Sequence, residues 1–211
     1  GAVTIDSTGT TTVGVNGDIT TTTGNVTFGG TLAGTLTTAG DVSTTGDGGN
    51  VTFTNGVTLS GDVLINTGVF GGNIAFSDTL TGTVAGAQTL GLTAGTGSVG
   101  FADAVGATRL GAVTVSSGSG GVTADSTFNA NSLSITDGGA VDLNGMVTVP
   151  DGFSSAGTSF DNTGGAITTS GGAGGIVINH SGAVTVAAGL TSGAGAVTID
   201  STGTTTVGVN G

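Results

Sequence analysis

GNVTF at residues 24–28 recurs as GNVTF at 49–53, as GNIAF at 72–76 and as GSVGF at 97–101. The shared pattern is glycine, a small or polar residue, a β-branched residue, a small residue and phenylalanine. Alternation with period two is the signal of a strand with one buried face. Val26 and Phe28 are expected on one side, Asn25 and Thr27 on the other. An apolar residue follows four positions after each phenylalanine, at Leu32, Val57, Leu80 and Val105, and keeps the same facing if the strand continues or bends gently. Glycine then supplies the corners. The last apolar position of the pentad extends into a series: Ile5, Phe28, Phe53, Phe76, Phe101, Phe128, Phe153, Ile178 and Ile199. Its steps are 21 to 27 residues and total 194. Six of the eight phenylalanines belong to it; Phe70 and Phe160 do not. Beyond Phe101 the series rests on spacing more than on whole pentads. GAVTV at 111–115, GAVDL at 139–143 and GAVTV at 182–186 are candidates for other strands of the same coils.

A longer repeat encloses this short one. Residues 1–17, GAVTIDSTGTTTVGVNG, are identical to residues 195–211. The expected organisation is one long unit over 1–194, of about eight coils, with 195–211 opening the next identical unit. Both ends lie in strand-rich sequence without a polar cap, as in an internal slice of a longer array.

Composition agrees with strands. Glycine supplies 46 of 211 residues, but 36% are hydrophobic and only 7% charged, which is not the balance of a disordered chain. A single proline excludes collagen-like or polyproline structure. Glu and Lys are absent, and there is one Gln and one Met, so good helix formers are scarce. The expected fold is all-β: a parallel β-helix, or β-solenoid, whose stacked coils bury one continuous core. Phenylalanine stacks on phenylalanine and valine on valine. Eight coils at ~4.8 Å each rise about 38 Å. Low charge suits such stacking, because like charges ~5 Å apart repel. Thirteen Asp against Arg109 alone make the chain uniformly acidic, which opposes binding to nucleic acid or anionic membranes. Without cysteine there is no disulfide, thiolate metal site or thiol catalysis. No signal peptide and no apolar run of membrane-spanning length is visible.

The run GGNIAFSDTLTGTVAGAQTLGLTAGTGSVGFADAVGATRLGAVTVSS, residues 71–117, resembles the β-strand repeats of filamentous haemagglutinin-like proteins. The likeness lies in the pattern AGAQ-x-L-x-L-x-AGTG-x-V-x-F, and is strongest over 24–117. It implies a right-handed parallel β-helix in a large bacterial surface or secreted protein, often an adhesin. The family's secretion domain has no counterpart in this sequence.

No residue pattern points to chemistry. β-Helix enzymes that cleave acidic polysaccharides need clustered carboxylates with Arg or Lys. Here the closest Asp pairs along the chain are Asp137–Asp142 and Asp41–Asp47, and no Tyr or Trp offers a sugar platform. Turn aspartates are the expected reading, and no catalytic residue, cofactor site or metal site is assigned. Calcium is the fairer rival, but GDGGN at 46–50 and DGGAVD at 137–142 lack the nonapeptide repeat of calcium β-rolls. His180 stands without a neighbouring His or Cys and is expected at the surface or in a turn. Arg109 is expected to pair with an Asp or a carbonyl. The sequons at Asn25, Asn50 and Asn179 matter only in a glycosylating host. The threonine runs at 10–13 and 20–23 do not recur at the coil period, against an ice-binding face.

The expected function is mechanical: an extracellular or cell-surface fibre, stalk or sheath element, with no enzymatic activity. Its partners are its own copies, as covalent tandem repeats or through fibre contacts. The alternative is the shaft of an adhesin binding glycans or another cell. An exposed aromatic near Phe70 or Phe160 favours adhesion; burial of both favours a plain shaft.

Overall fold

The structure is a computed structural model that describes residues 1–46, 48–117, 119–171 and 174–208. It is all-β, with parallel strands stacked as a β-solenoid. Each coil carries strands on three faces, called A, B and C in chain order. Face A begins with Val3–Ile5, Val26–Phe28 and Val51–Phe53, face B with Thr11–Val13, Leu36–Thr38 and Val57–Leu59, and face C with Ile19–Thr20, Val42–Ser43 and Val63–Asn66. Pairing never mixes these faces: each strand bonds its counterpart one coil away, in parallel. Nine coils of three faces are completed by Val197–Ser201 on face C, and Thr205–Val207 begins a tenth on face A.

Coil length varies. From Val26 the face A register steps to Val51, Ile74, Val99, Val122, Val141, Phe160 and Val184. Coils of 23 to 25 residues thus give way to two of 19, starting at Val122 and Val141. In these coils Phe128–Leu143 runs as continuous strand from face B through face C to face A, and Gly152–Asp161 from face C to face A; Val105–Ser117 already crosses the corner between faces B and C in a coil of 23.

This drift explains which parts of the core series hold. Ile5, Phe28, Phe53, Phe76 and Phe101 do form one ladder, on face A. Its next rungs are Ala124 and Leu143, not Phe128. Phe128 continues the face B ladder above Val57, Leu80 and Val105. Phe153 lies on face C above Leu133, and Ile178 and Ile199 lie in the neighbouring face C column above Ser155. All but the terminal Ile5 and Ile199 are fully buried, so the core membership stands while the ladder is divided among three faces. Leu32 departs as well. It is 37% exposed, and Leu36 takes the face B core position beneath Val57.

The phenylalanine stack follows from the backbone. Ring centroids of Phe28–Phe53, Phe53–Phe76 and Phe76–Phe101 lie 4.9, 4.7 and 5.3 Å apart, with planes within 5°. These separations match the strand spacing of ~4.8 Å. They exceed the ~3.5–4.0 Å of carbon contact, so parallel rings touch only by slipping into the favoured offset stack. Above Phe101 the rung is Ala124, and the space beside it is filled from face B by Phe128, edge-on at 5.4 Å and 81°. The phenylalanine column therefore continues across a corner of the core, which is why spacing alone joins Phe128 to it.

Replacing Phe76, which is stacked on both sides, with alanine is expected to cost about 3–5 kcal/mol. Amide exchange in coils three to five should accelerate accordingly; unaltered protection would contradict the packing described.

Candidate functional site

The pentad is the unit from which the shaft is built, and each of its positions has a physical task. Its glycine turns the corner between faces C and A. A Cβ added at Gly49, Gly72 or Gly97 would collide with the main chain of the corner one coil below, at Gly24, Gly49 and Gly72 respectively. Close approach, rather than φ, dictates glycine there. The asparagine follows on the outside. Asn25 Oδ1 accepts the Asn50 N–H at 2.9 Å, Asn50 Oδ1 the Asn73 N–H at 2.8 Å, and Asn73 Oδ1 the Ser98 N–H at 2.9 Å. This is an asparagine ladder of the kind seen in cross-β stacks. It also assigns two of the three sequon asparagines a structural role. The β-branched residue and phenylalanine enter the core, with Thr27 and Thr52 outside. A hydroxyl closes the corner: Thr21 and Thr67 Oγ1 donate to the carbonyls of Gly24 and Gly72 at 2.8 and 2.7 Å, and Thr44 does the same to Gly49.

The AGAQ segment has a comparable task at the corner between faces B and C. Gln88 is buried, and its Oε1 accepts the N–H groups of Thr83 and Val84 at 3.1 and 3.0 Å. Gly86 turns there with φ +77°.

His180 is not at the surface or in a turn, where the sequence places it. It is 1% exposed, not a surface residue. Its position in Ile176–His180 explains this: it shares the inward phase of Ile176 and Ile178, a period-two signal readable in the sequence. The Nε2 atom lies 3.0 Å from Ser155 Oγ, and the ring sits 5.5 Å from that of Phe160. Nδ1 is buried without a hydrogen-bond partner among the described residues. Burial pushes the imidazole pKa down from its usual value. Beside it, the C–A corner of the later coils forms an open groove of about 630 Å³, lined by Ser119, Asp137, Asn179, His180 and Asp200 among others. Two carboxylates and no cation line this groove, so its field opposes acidic ligands.

The remaining sequence candidates are dispersed. Asp137 occupies a corner with φ +56°, whereas Asp142 points outward from face A and pairs with Asp161 above it. Asp18 lies below Asp41 in the same way, and its Oδ1 accepts the Asp41 N–H at 3.0 Å. Asp78 and Asp103, each two residues beyond a stacked phenylalanine, share a register position as well, so three aspartate pairs stack among the described residues. Asp47, of the Asp41–Asp47 pair, lies outside the described residues. Among the described residues, no three His or Asp side chains converge as metal ligands would. Arg109 is exposed and makes no ion pair there; its carbonyl accepts the Gly86 N–H at 2.7 Å. Phe160 is buried against Phe153, but Phe70 is 73% exposed beside Val69 at 69%. No protein-family model, curated protein or solved structure matches the chain.

Two predictions follow from this geometry. Gly72→Ala should destabilise the corner, whereas Gly100→Ala, whose Cβ would meet nothing within 4 Å, should be tolerated; thermal melting of the two variants separates them. Burial lowers the His180 pKa in the folded chain below the value near 6.5 that the unfolded chain keeps. The unfolded state therefore binds more protons below that pH. The stabilising contribution is complete above about pH 6.5 and shrinks as pH falls through it. His180→Gln should remove this part of the pH dependence, seen as melting temperatures that fall less between pH 7.5 and 5.5 than those of the parent.

Proposed function

We propose that the chain is a segment of the shaft of a long extracellular or cell-surface fibre, built from tandem 194-residue β-solenoid repeats and carrying no catalysis. The observation that carries this reading is the in-register stack. Every coil uses its neighbours as partners, and its inward residues are committed to the core. The identity of residues 1–17 with 195–211 supports covalent continuation into a further repeat. Residues 1–194 then constitute one unit, and residues 195–211 the start of the next. The acidic surface keeps neighbouring shafts apart. The resemblance to filamentous haemagglutinin-like repeats points to a bacterial origin.

A second reading rests on Val69 and Phe70. Gly68 and Gly71, at φ +79° and +94°, turn this pair outward at the C–A corner, where neither contributes to the core. An exposed aromatic of this kind suits an adhesin shaft that binds glycans or another cell. The two readings separate on Phe70→Ser: binding to cells or glycans drops in the adhesin, while a plain shaft is unaffected in both assembly and binding.

Electron microscopy of the native assembly tests the first reading. An unbranched fibre with an axial spacing of ~4.8 Å is expected. Compact particles with no such spacing would overturn it.

A further inference from the structure

The two copies of the 17-residue sequence do not occupy the same place in the coil. In the first copy, Val3–Ile5 lies on face A and Thr11–Val13 on face B. In the second, the identical segments fall in Val197–Ser201 on face C and Thr205–Val207 on face A. Counted face by face, 26 strand positions separate the copies: eight coils and two further faces. That number is not a multiple of three.

Local structure survives the change of face. In the first copy the Gly9 N–H donates to Ser7 Oγ at 3.1 Å, at the corner between A and B. In the second the Gly203 N–H donates to Ser201 Oγ at 3.1 Å, at the corner between C and A. The turn is therefore set by its own sequence and fits either corner. The hydroxyl clasp gives independent support. At the start of the chain, Thr21, Thr44 and Thr67 close the C–A corner. In the last two full coils the same clasp has moved to the B–C corner, where Thr169 donates to the Gly174 carbonyl at 2.8 Å and Ser192 to that of Gly195. A second copy continuing from Thr205–Val207 brings its own counterpart of Thr21 onto that B–C corner, directly above Ser192. Asp200 is likewise in position. Its counterpart Asp6 accepts the N–H groups of Thr31 and Leu32 from the next coil at 3.2 and 3.3 Å.

We infer that successive repeats are joined with a rotation of one face, so that faces A, B and C of one repeat are taken up as C, A and B by the next. This rests on the tandem-shaft reading above. The open edge of the solenoid is a docking surface whose occupant is a second copy of this same sequence, turned by a third of the cross-section. The phenylalanine stack then lies under face A in one repeat, C in the second and B in the third. The exposed Val69–Phe70 corner likewise visits all three edges of the shaft. Each repeat rises about 42 Å, and the pattern returns to its starting face after 26 coils, about 125 Å. A shaft built this way presents its apolar corner in three directions instead of along one side.

Cryo-electron microscopy of the native fibre, at a resolution that separates strands, decides the matter. Counting strands avoids confusion with the solenoid's own twist. The expected result is 26 strand positions between equivalent rings of successive phenylalanine stacks, with the stack moving to a new face each time. Stacks recurring on one face, 24 or 27 strands apart, would overturn the rotation and leave the tandem shaft intact. Separate particles of one repeat each would overturn the tandem shaft itself.

Discussion

Parallel, in-register pairing of each coil with the next is the constraint on which everything else depends. It fixes a vertical spacing of ~4.8 Å for every residue at once. Each side chain therefore lies against its counterpart, and a residue is acceptable only if it tolerates a near copy of itself at that distance. Phenylalanine does so by offset stacking, asparagine by handing its carbonyl to the next backbone N–H, and glycine by letting one corner rest directly on another. Lysine and glutamate would stack like charges, and the chain contains neither. The three stacked aspartate pairs among the described residues mark how far this can be stretched. At Asp18 and Asp41 a carboxylate oxygen is occupied by the backbone N–H of the residue above it.

How much of this was legible depended on whether a residue's environment is local. The strand pentads, their facing and the β-solenoid were readable, because alternation within five residues decides which side is buried. So was the Phe28-to-Phe101 ladder, where coil length stays at 23 or 25. Beyond Phe101 the reading failed for a definite reason. Ladder membership depends on the number of residues in each corner, and Phe128–Leu143 absorbs corners into continuous strand. A spacing near 25 then leads from face A to face B and on to face C, although every residue reached is buried or at least packed on the core. Leu32 failed similarly. A strand does not continue through Gly29 at φ +84°, so the four-residue offset that suits Val57 and Leu80 leaves Leu32 outside.

His180 was missed for the opposite reason. Its phase with Ile176 and Ile178 placed it inside, but a lone histidine is ordinarily assigned to the surface. The structure satisfies half of it, through Ser155, and leaves Nδ1 without a partner. Such a residue weakens a stack and contributes nothing to its regularity. It lies in the later coils, where Asn162 is also buried and bonded to the Gly165 and Ala188 carbonyls.

Three faces that demand the same things of their residues need not be distinguished by the sequence. A strand of three residues offers two side chains to the core, and a corner is closed by bonds within a few residues of itself. Neither contains information about which face it belongs to. This is why one 17-residue sequence adopts the same serine turn at two different corners. It also means that repeat length is under no requirement to equal a whole number of coils. Selection for an unbroken core fixes the number of strands only to the nearest face. Where that number is not divisible by three, rotation of surface features around the shaft follows from arithmetic, without any residue dedicated to it.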